Sequence, residues 1–180
     1  MKPLFLIGYM GCGKSTLGRK IARRLHLAFV DTDHVVEDQE GASTADIFHY
    51  EGEEHFREME RGVLDRLILS GEEQVISTGG GLPTWRDNMD RMNEAGITIY
   101  LKRSAEQIAR RMSPYGRQKR PRLRGLSDEE LVVFMREDMS RREAFYSRAQ
   151  ITVTCDALSD YDLVNQIVDS LHKHLLQHAQ

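Results

Sequence analysis

Residues 8–15 read Gly-Tyr-Met-Gly-Cys-Gly-Lys-Ser, which satisfies G-x-x-x-x-G-K-[ST] at every fixed position. The glycines let the backbone curl so that successive N–H groups point at phosphate oxygens, and the helix that follows adds its positive end. In such a loop Lys14 can reach the β- and γ-phosphates of a nucleotide, and the Ser15 hydroxyl can sit on Mg²⁺. An apolar run, Leu4-Phe5-Leu6-Ile7, precedes the loop and helix-forming residues follow it, as a phosphate loop requires.

Further polar groups stand where short apolar runs end. Asp31-Thr32-Asp33 follows the second run. At an extended strand end, two carboxylates two apart can divide their work, one serving a metal and the other a substrate. The competing reading makes Asp33 the cap of a helix over 34–39. Thr78-Gly79-Gly80-Gly81 follows the third run, where three glycines allow backbone to approach a ligand closely or simply make a turn. Arg57 lies seven residues before Leu64 and eleven before Ile68, in phase with the apolar face of a helix from Glu53 to about Ser70. An inward guanidinium needs an anion, either Glu53 or Glu60 on its own helix or a ligand. Arg142 repeats the pattern, in phase with Leu131, Met135 and Tyr146, and its nearest acid on that stripe is Asp138. Two inward arginines suggest a pocket for an anion, provided both helices face one cleft.

Between these positions, apolar runs at 4–7, 28–30, 74–77, 98–101 and 151–154 alternate with segments of helical period. That is the pattern of βαβ units: an α/β protein with helices on both faces of a five-stranded parallel sheet, whose ligands bind beyond the strands' C-terminal ends. Ser43-x-x-Asp46 and Ser127-x-x-Glu130 read as capping boxes opening helices. Residues 113–126 carry Arg117, Lys119, Arg120, Arg122 and Arg124 with no acid, and their prolines and glycines disfavour regular structure. A basic mobile loop beside a phosphate loop reads as a lid over the transferring phosphate. A nucleic-acid contact ranks behind it. In the last helix Leu163, Ile167, Leu171 and Leu175 form a core stripe, and His172, His174 and His178 read as solvated.

At 180 residues, with 40% hydrophobic and 29% charged residues, the chain fits one compact soluble domain over 1–180. A formal charge of -3 argues against a protein that coats nucleic acid. Its two cysteines, Cys12 and Cys155, read as free thiols, and no apolar stretch is long enough for a bilayer, so a cytoplasmic protein without membrane partners is expected.

Taken together, the glycine loop, Asp31 and Asp33, Phe56-Arg57, Gly79 to Gly81, Arg120-Pro121 and Arg142 before Tyr146 resemble the shikimate kinase family in order and approximate spacing. The resemblance runs nearly the whole chain. It implies the phosphate-loop fold of nucleoside monophosphate kinases: three layers around five parallel strands, acceptor-binding helices at about 33–70 and a lid at about 113–126. It further implies a monomer that transfers phosphate from ATP to the 3-hydroxyl of shikimate with Mg²⁺. On that resemblance Gly11, Cys12, Gly13, Lys14, Ser15 and Thr16 hold the ATP phosphates, and Ser15 and Asp31 serve the metal. Asp33 meets the acceptor hydroxyls, Arg57 and Arg142 grip the carboxylate, and Gly79, Gly80 and Gly81 line the acceptor site. Arg120 approaches the transferring phosphate, and Arg111 stacks on adenine. Lys14, Asp33 and Arg120 form the catalytic set. Two departures stand out. Arg122 follows Pro121 where the family usually has an apolar residue, and Cys155-Asp156-Ala157 lacks an arginine that some members place against adenine. Gluconate and nucleoside monophosphates remain alternative acceptors, and a nucleotide-binding module without catalysis is the alternative from another class.

Overall fold

A computed structural model describes residues 2–178. Five strands, β1 (Leu4–Ile7), β2 (Ala28–Asp31), β3 (Gln74–Ser77), β4 (Ile97–Lys102) and β5 (Ile151–Thr154), form one parallel sheet in the order β2-β3-β1-β4-β5. The unbroken apolar runs follow from that order. All four residues of central β1 are fully buried because neighbours flank it and helices cover both faces. At the edge, β5 alternates buried and exposed residues. Each large aliphatic side chain so withdrawn from water contributes about 1.5–3 kcal/mol.

The phosphate-loop helix α1 (Lys14–Leu25) buries Leu17, Ile21 and Ala22 on the sheet. Gly18 on the same face permits the close approach: a Cβ there would lie 2.5 Å from the Phe29 ring and 3.0 Å from Leu6. Three helices follow β2, namely α2 (Thr32–Glu40), α3 (Thr44–Tyr50) and α4 (Gly52–Ser70). They share a small core of Val36, Ile47, Phe56 and Val63, separate from the main one. After β3 come a 3-10 turn (Leu82–Thr84) and α5 (Asn88–Ala95), a helix that the strand-and-motif reading does not single out. Beyond β4 lie α6 (Ala105–Arg111), α7 (Pro114–Gln118), a 3-10 turn (Pro121–Leu123) and α8 (Asp128–Tyr146). Helix α9 (Asp160–Gln177) follows β5. The Ser127–Glu130 capping box forms in full, and Leu163, Ile167 and Leu171 are buried as their spacing requires.

Two local expectations are corrected. The chain does not stay extended through Asp31-Thr32-Asp33, and Asp33 is not the helix cap. Asp31 ends β2 and caps α2, its Oδ1 accepting from the Asp33 N–H at 3.2 Å. Residues 113–126 are more regular than their prolines suggest. Ser113 caps α7 through the Gly116 N–H, and Pro114 opens that helix, where its missing donor costs nothing.

Candidate active site

The phosphate loop joins the C-terminal end of β1 to α1 with Gly8, Gly11 and Gly13 at φ of 141°, 78° and 110°. These are left-handed conformations that side chains disfavour. Lys14 is 8% exposed and folds back over the loop, donating to the carbonyls of Gly8 at 2.8 Å and Tyr9 at 3.0 Å. With the Cys12 sulfur 3.9 Å away as a further weak contact, the ammonium is held by neutral groups and is ready for an anion. Ser15 Oγ donates to Asp31 Oδ2 at 2.6 Å and lies 3.4 Å from Ser77 Oγ. This cluster contains only oxygen donors from the ends of β2, β3 and the loop, which suits a hard cation such as Mg²⁺. Among the described residues no group of three or more His, Cys, Asp or Glu gathers as a metal cage. A small set of this kind fits Mg²⁺ that keeps several waters and phosphate ligands.

Cys12 turns inward and is fully buried, so its contribution to a nucleotide is through the backbone. Both cysteines are free. Burial pushes the Cys155 thiol up to about 12, keeping it protonated.

Gly79 to Gly81 runs past the loop at the end of β3. Thr32 Oγ1 accepts from the Gly79 N–H at 2.9 Å, and a Cβ on Gly80 would lie 3.2 Å from Met10 N. Each of the two inward arginines is linked to this triplet. The Arg57 guanidinium packs on Gly81 so closely that a Cβ there would collide with it. Arg57 also pairs with Glu60 and, at 3.2 Å, with Glu53, so the intrahelical partners form. Arg142 lies beside Tyr146, whose phenol donates to the Gly80 carbonyl at 2.6 Å. It also contacts Asp138 at 3.0 Å and lies over the Tyr9 ring.

Asp33 projects from the first turn of α2 toward Gly79, where a Cβ would stand 2.5 Å from its Oδ1 and collide with Glu60 Oε1. Burial and the neighbouring Asp31 raise the Asp33 carboxyl, against the pull of Lys14 and Arg57. Glu60 is fully buried, and its Oε1 accepts no hydrogen bond. Burial raises Glu60 to about 8 against the pull of Arg57. The neighbouring Asp33 raises it further, and a proton shared between the two carboxyls accounts for the orphaned atom.

Between α7 and the second 3-10 turn, half-buried Arg120 donates to the Gly116 carbonyl at 2.5 Å. Burial lowers its affinity for the proton, against the pull of Asp33 and Tyr9. Arg117 pairs with Asp128 at 2.6 Å, and Arg122, the departing charge, lies over the Phe134 ring at 5.5 Å, so both are anchored on α8. Arg111 stands apart from the acceptor cluster at the end of α6, 3.7 Å from Asp160.

The shikimate kinase family model matches residues 10–172. The chain belongs to the shikimate kinase family. It is 41% identical over 175 residues to the shikimate kinase of Parabacteroides distasonis, covering 97% of this chain and 100% of that one. It is similar to the crystal structure of shikimate kinase from Bacteroides thetaiotaomicron, with TM-score 0.87, 36% identity and coverage of 95% and 98%. It is also similar to shikimate kinase from Acinetobacter baumannii in complex with shikimate, with TM-score 0.86, 32% identity and coverage of 96% and 94%. The α/β fold with five parallel strands is thereby that of the phosphate-loop kinases.

Within this family frame, several site residues have no signal in the local pattern. Arg103, 3% exposed, donates from Nε to the Cys12 carbonyl at 3.1 Å, and its Nη2 is buried with no partner. It follows β4 and supports the phosphate loop from below, a position that the rule about strand ends could have found. Tyr9 and Tyr146 pass as apolar core residues. Glu60 shows only as a neighbour of Arg57 on α4.

Proposed function

We propose that this chain transfers the γ-phosphoryl group of ATP to the 3-hydroxyl of shikimate, giving shikimate 3-phosphate and ADP. The observation that carries the reading is the convergence of Arg57 and Arg142 on Gly79 to Gly81, beside Asp33 and the phosphate loop. Two guanidiniums from separate helices suit a carboxylate, and a carboxyl next to them suits the hydroxyls of the same small molecule. Family membership identifies that acid as shikimate.

Phosphoryl transfer needs positioning and charge neutralisation more than covalent help. The loop backbone from Gly11 to Thr16 receives the phosphates, and Lys14 exchanges its carbonyl partners for phosphate oxygens. Asp33 accepts a hydrogen bond from the acceptor hydroxyl and orients it. As the new P–O bond forms, the bond to ADP breaks and the hydroxyl proton leaves toward Asp33. Ser15 and Asp31 would hold Mg²⁺, which would supply charge neutralisation at the ATP phosphates. Arg120 comes in with a lid over 113–126 and stabilises the charge spreading over the transferring group. Arg111 faces adenine. Helices over 33–70 form the acceptor side of one kinase domain spanning 1–180, working as a cytoplasmic monomer. Two buried free thiols support a reducing compartment. Among the described residues no helix is long and apolar enough to cross a membrane.

The test is ADP release against a panel of acceptors: shikimate, gluconate and nucleoside monophosphates. Turnover with shikimate alone is expected. In the same assay Arg142→Ala should raise the shikimate KM about 10- to 100-fold, with a smaller change in kcat. Turnover with gluconate in preference to shikimate, or an unchanged KM, would overturn the reading.

A further inference from the structure

Tyr9 belongs to the phosphate loop, yet its side chain leaves the phosphates and enters the core, where it is 1% exposed. Its phenol donates to Asp138 Oδ2 at 2.9 Å, across 129 residues of sequence. The same oxygen contacts Arg142 Nη2 at 3.0 Å, and the Arg142 guanidinium lies 5.5 Å from the centre of the Tyr9 ring. Asp138 is 4% exposed and meets Arg141 only at 3.5 Å on its other oxygen. A buried carboxylate is costly unless it is paired and hydrogen-bonded, and here the two partners are Tyr9 and Arg142. On its other side, the Tyr9 carbonyl accepts from Lys14 at 3.0 Å. One residue of the loop therefore touches both the cation that faces the nucleotide and, through Asp138, a cation that faces the acceptor.

We propose that Tyr9 and Asp138 are positioning residues that tie Arg142 to the phosphate loop, so that occupancy of the nucleotide site sets the affinity for the acceptor. The inference rests on the carboxylate-gripping role given to Arg142 above. When Lys14 moves to phosphate oxygens, it releases the Tyr9 carbonyl, and the loop settles around the nucleotide. Any shift of Tyr9 passes through its hydrogen bond to Asp138 and so to the guanidinium. Linkage makes the effect reciprocal: bound acceptor must tighten nucleotide binding by the same factor. Tyr9→Phe keeps the ring and removes only the hydrogen bond. Asp138→Asn keeps the shape and removes the charge.

The experiment is isothermal titration of shikimate into the full chain, with and without the β,γ-imido analogue of ATP and Mg²⁺. The ratio of the two dissociation constants measures the coupling. In the unaltered chain the analogue should tighten shikimate several-fold. Tyr9→Phe and Asp138→Asn should each bring that ratio close to one, and the double variant should lose no more than the stronger single one, as residues acting in series do. A ratio of one in the unaltered chain overturns the proposal. So does an unaltered ratio in both variants, including the case where their melting temperatures fall, which would mark a packing role alone. Arg142→Ala separates acceptor binding from the coupling. If it weakens shikimate while the two variants leave the ratio intact, the acceptor reading stands and only the coupling falls. If it does not weaken shikimate, both fall.

Discussion

Glu60 Oε1 and Asp33 Oδ1 both border the space above Gly79, so two acidic side chains share one buried wall of the candidate acceptor site. They cannot both ionise freely there, and burial raises both carboxyls.

The first prediction concerns pH. Glu60 titrates at about 8 in the folded chain against 4.5 as its ordinary value. Between those values the folded state binds more protons than the unfolded one, so the Glu60 contribution to stability is complete below about 4.5 and is lost as pH rises through 8. Asp33, also raised, acts in the same direction. Glu60→Gln should therefore gain on the unaltered chain between pH 5 and 8, by up to a few kcal/mol. Urea unfolding across that range checks it. Parallel stability profiles for the two proteins would refute the shared proton.

Gly79→Ala should be severe although alanine is the smallest substitution. Its Cβ has no space beside Glu60 and Asp33, and Glu60 is walled in. Overpacking of this kind costs about 1–3 kcal/mol. Titration should show shikimate binding lost while the ATP analogue still binds. Retention of normal shikimate affinity would mean that the carboxyls can step aside.

Lys14→Ala should lower single-turnover phosphoryl transfer by about 10²-fold or more, the usual scale for losing one preorganised charge. Its two carbonyl partners are exchangeable, so the melting temperature should change little. Substantial residual transfer would point to Arg103 or Arg120 as the principal phosphate cation.

Arg120→Ala should lower kcat rather than raise the shikimate KM, because its partner in this state is only the Gly116 carbonyl. Steady-state kinetics with both substrates varied decides between a lid arginine and an acceptor ligand.

Much of this arrangement is legible in the chain itself. A parallel sheet covered on both faces turns its strands into short apolar runs, so β1, β3 and β5 stand where those runs place them, and the C-terminal ends mark the site. Arg57 and Arg142 announce themselves because a guanidinium on an apolar stripe needs an explanation. What the pattern hides is contact across sequence. Asp33 and Glu60 lie on different helices, and nothing local links them. Tyr9 and Asp138 are equally silent, since a tyrosine beside glycines and an acid at i−4 from an arginine each have ordinary explanations. The short α5 escapes because its eight residues show too few turns for periodicity to register.

The strand order has a consequence for recombination. Counting outward from β1, the neighbours β3 and β2 carry Gly79 to Gly81, Asp31 and Asp33, while β4 and β5 lead to the lid and to α9. A chimera that exchanges residues 28–81 with a relative would thus bring a foreign acceptor wall to a resident nucleotide wall. Arg142 is the exception, since α8 belongs to the other flank. In such a hybrid positions 9 and 138 stay with Arg142 from one parent, while the Tyr146–Gly80 hydrogen bond crosses the border. A single crossover between positions 9 and 138 parts that tyrosine from its aspartate, and there shuffled sequences should fail.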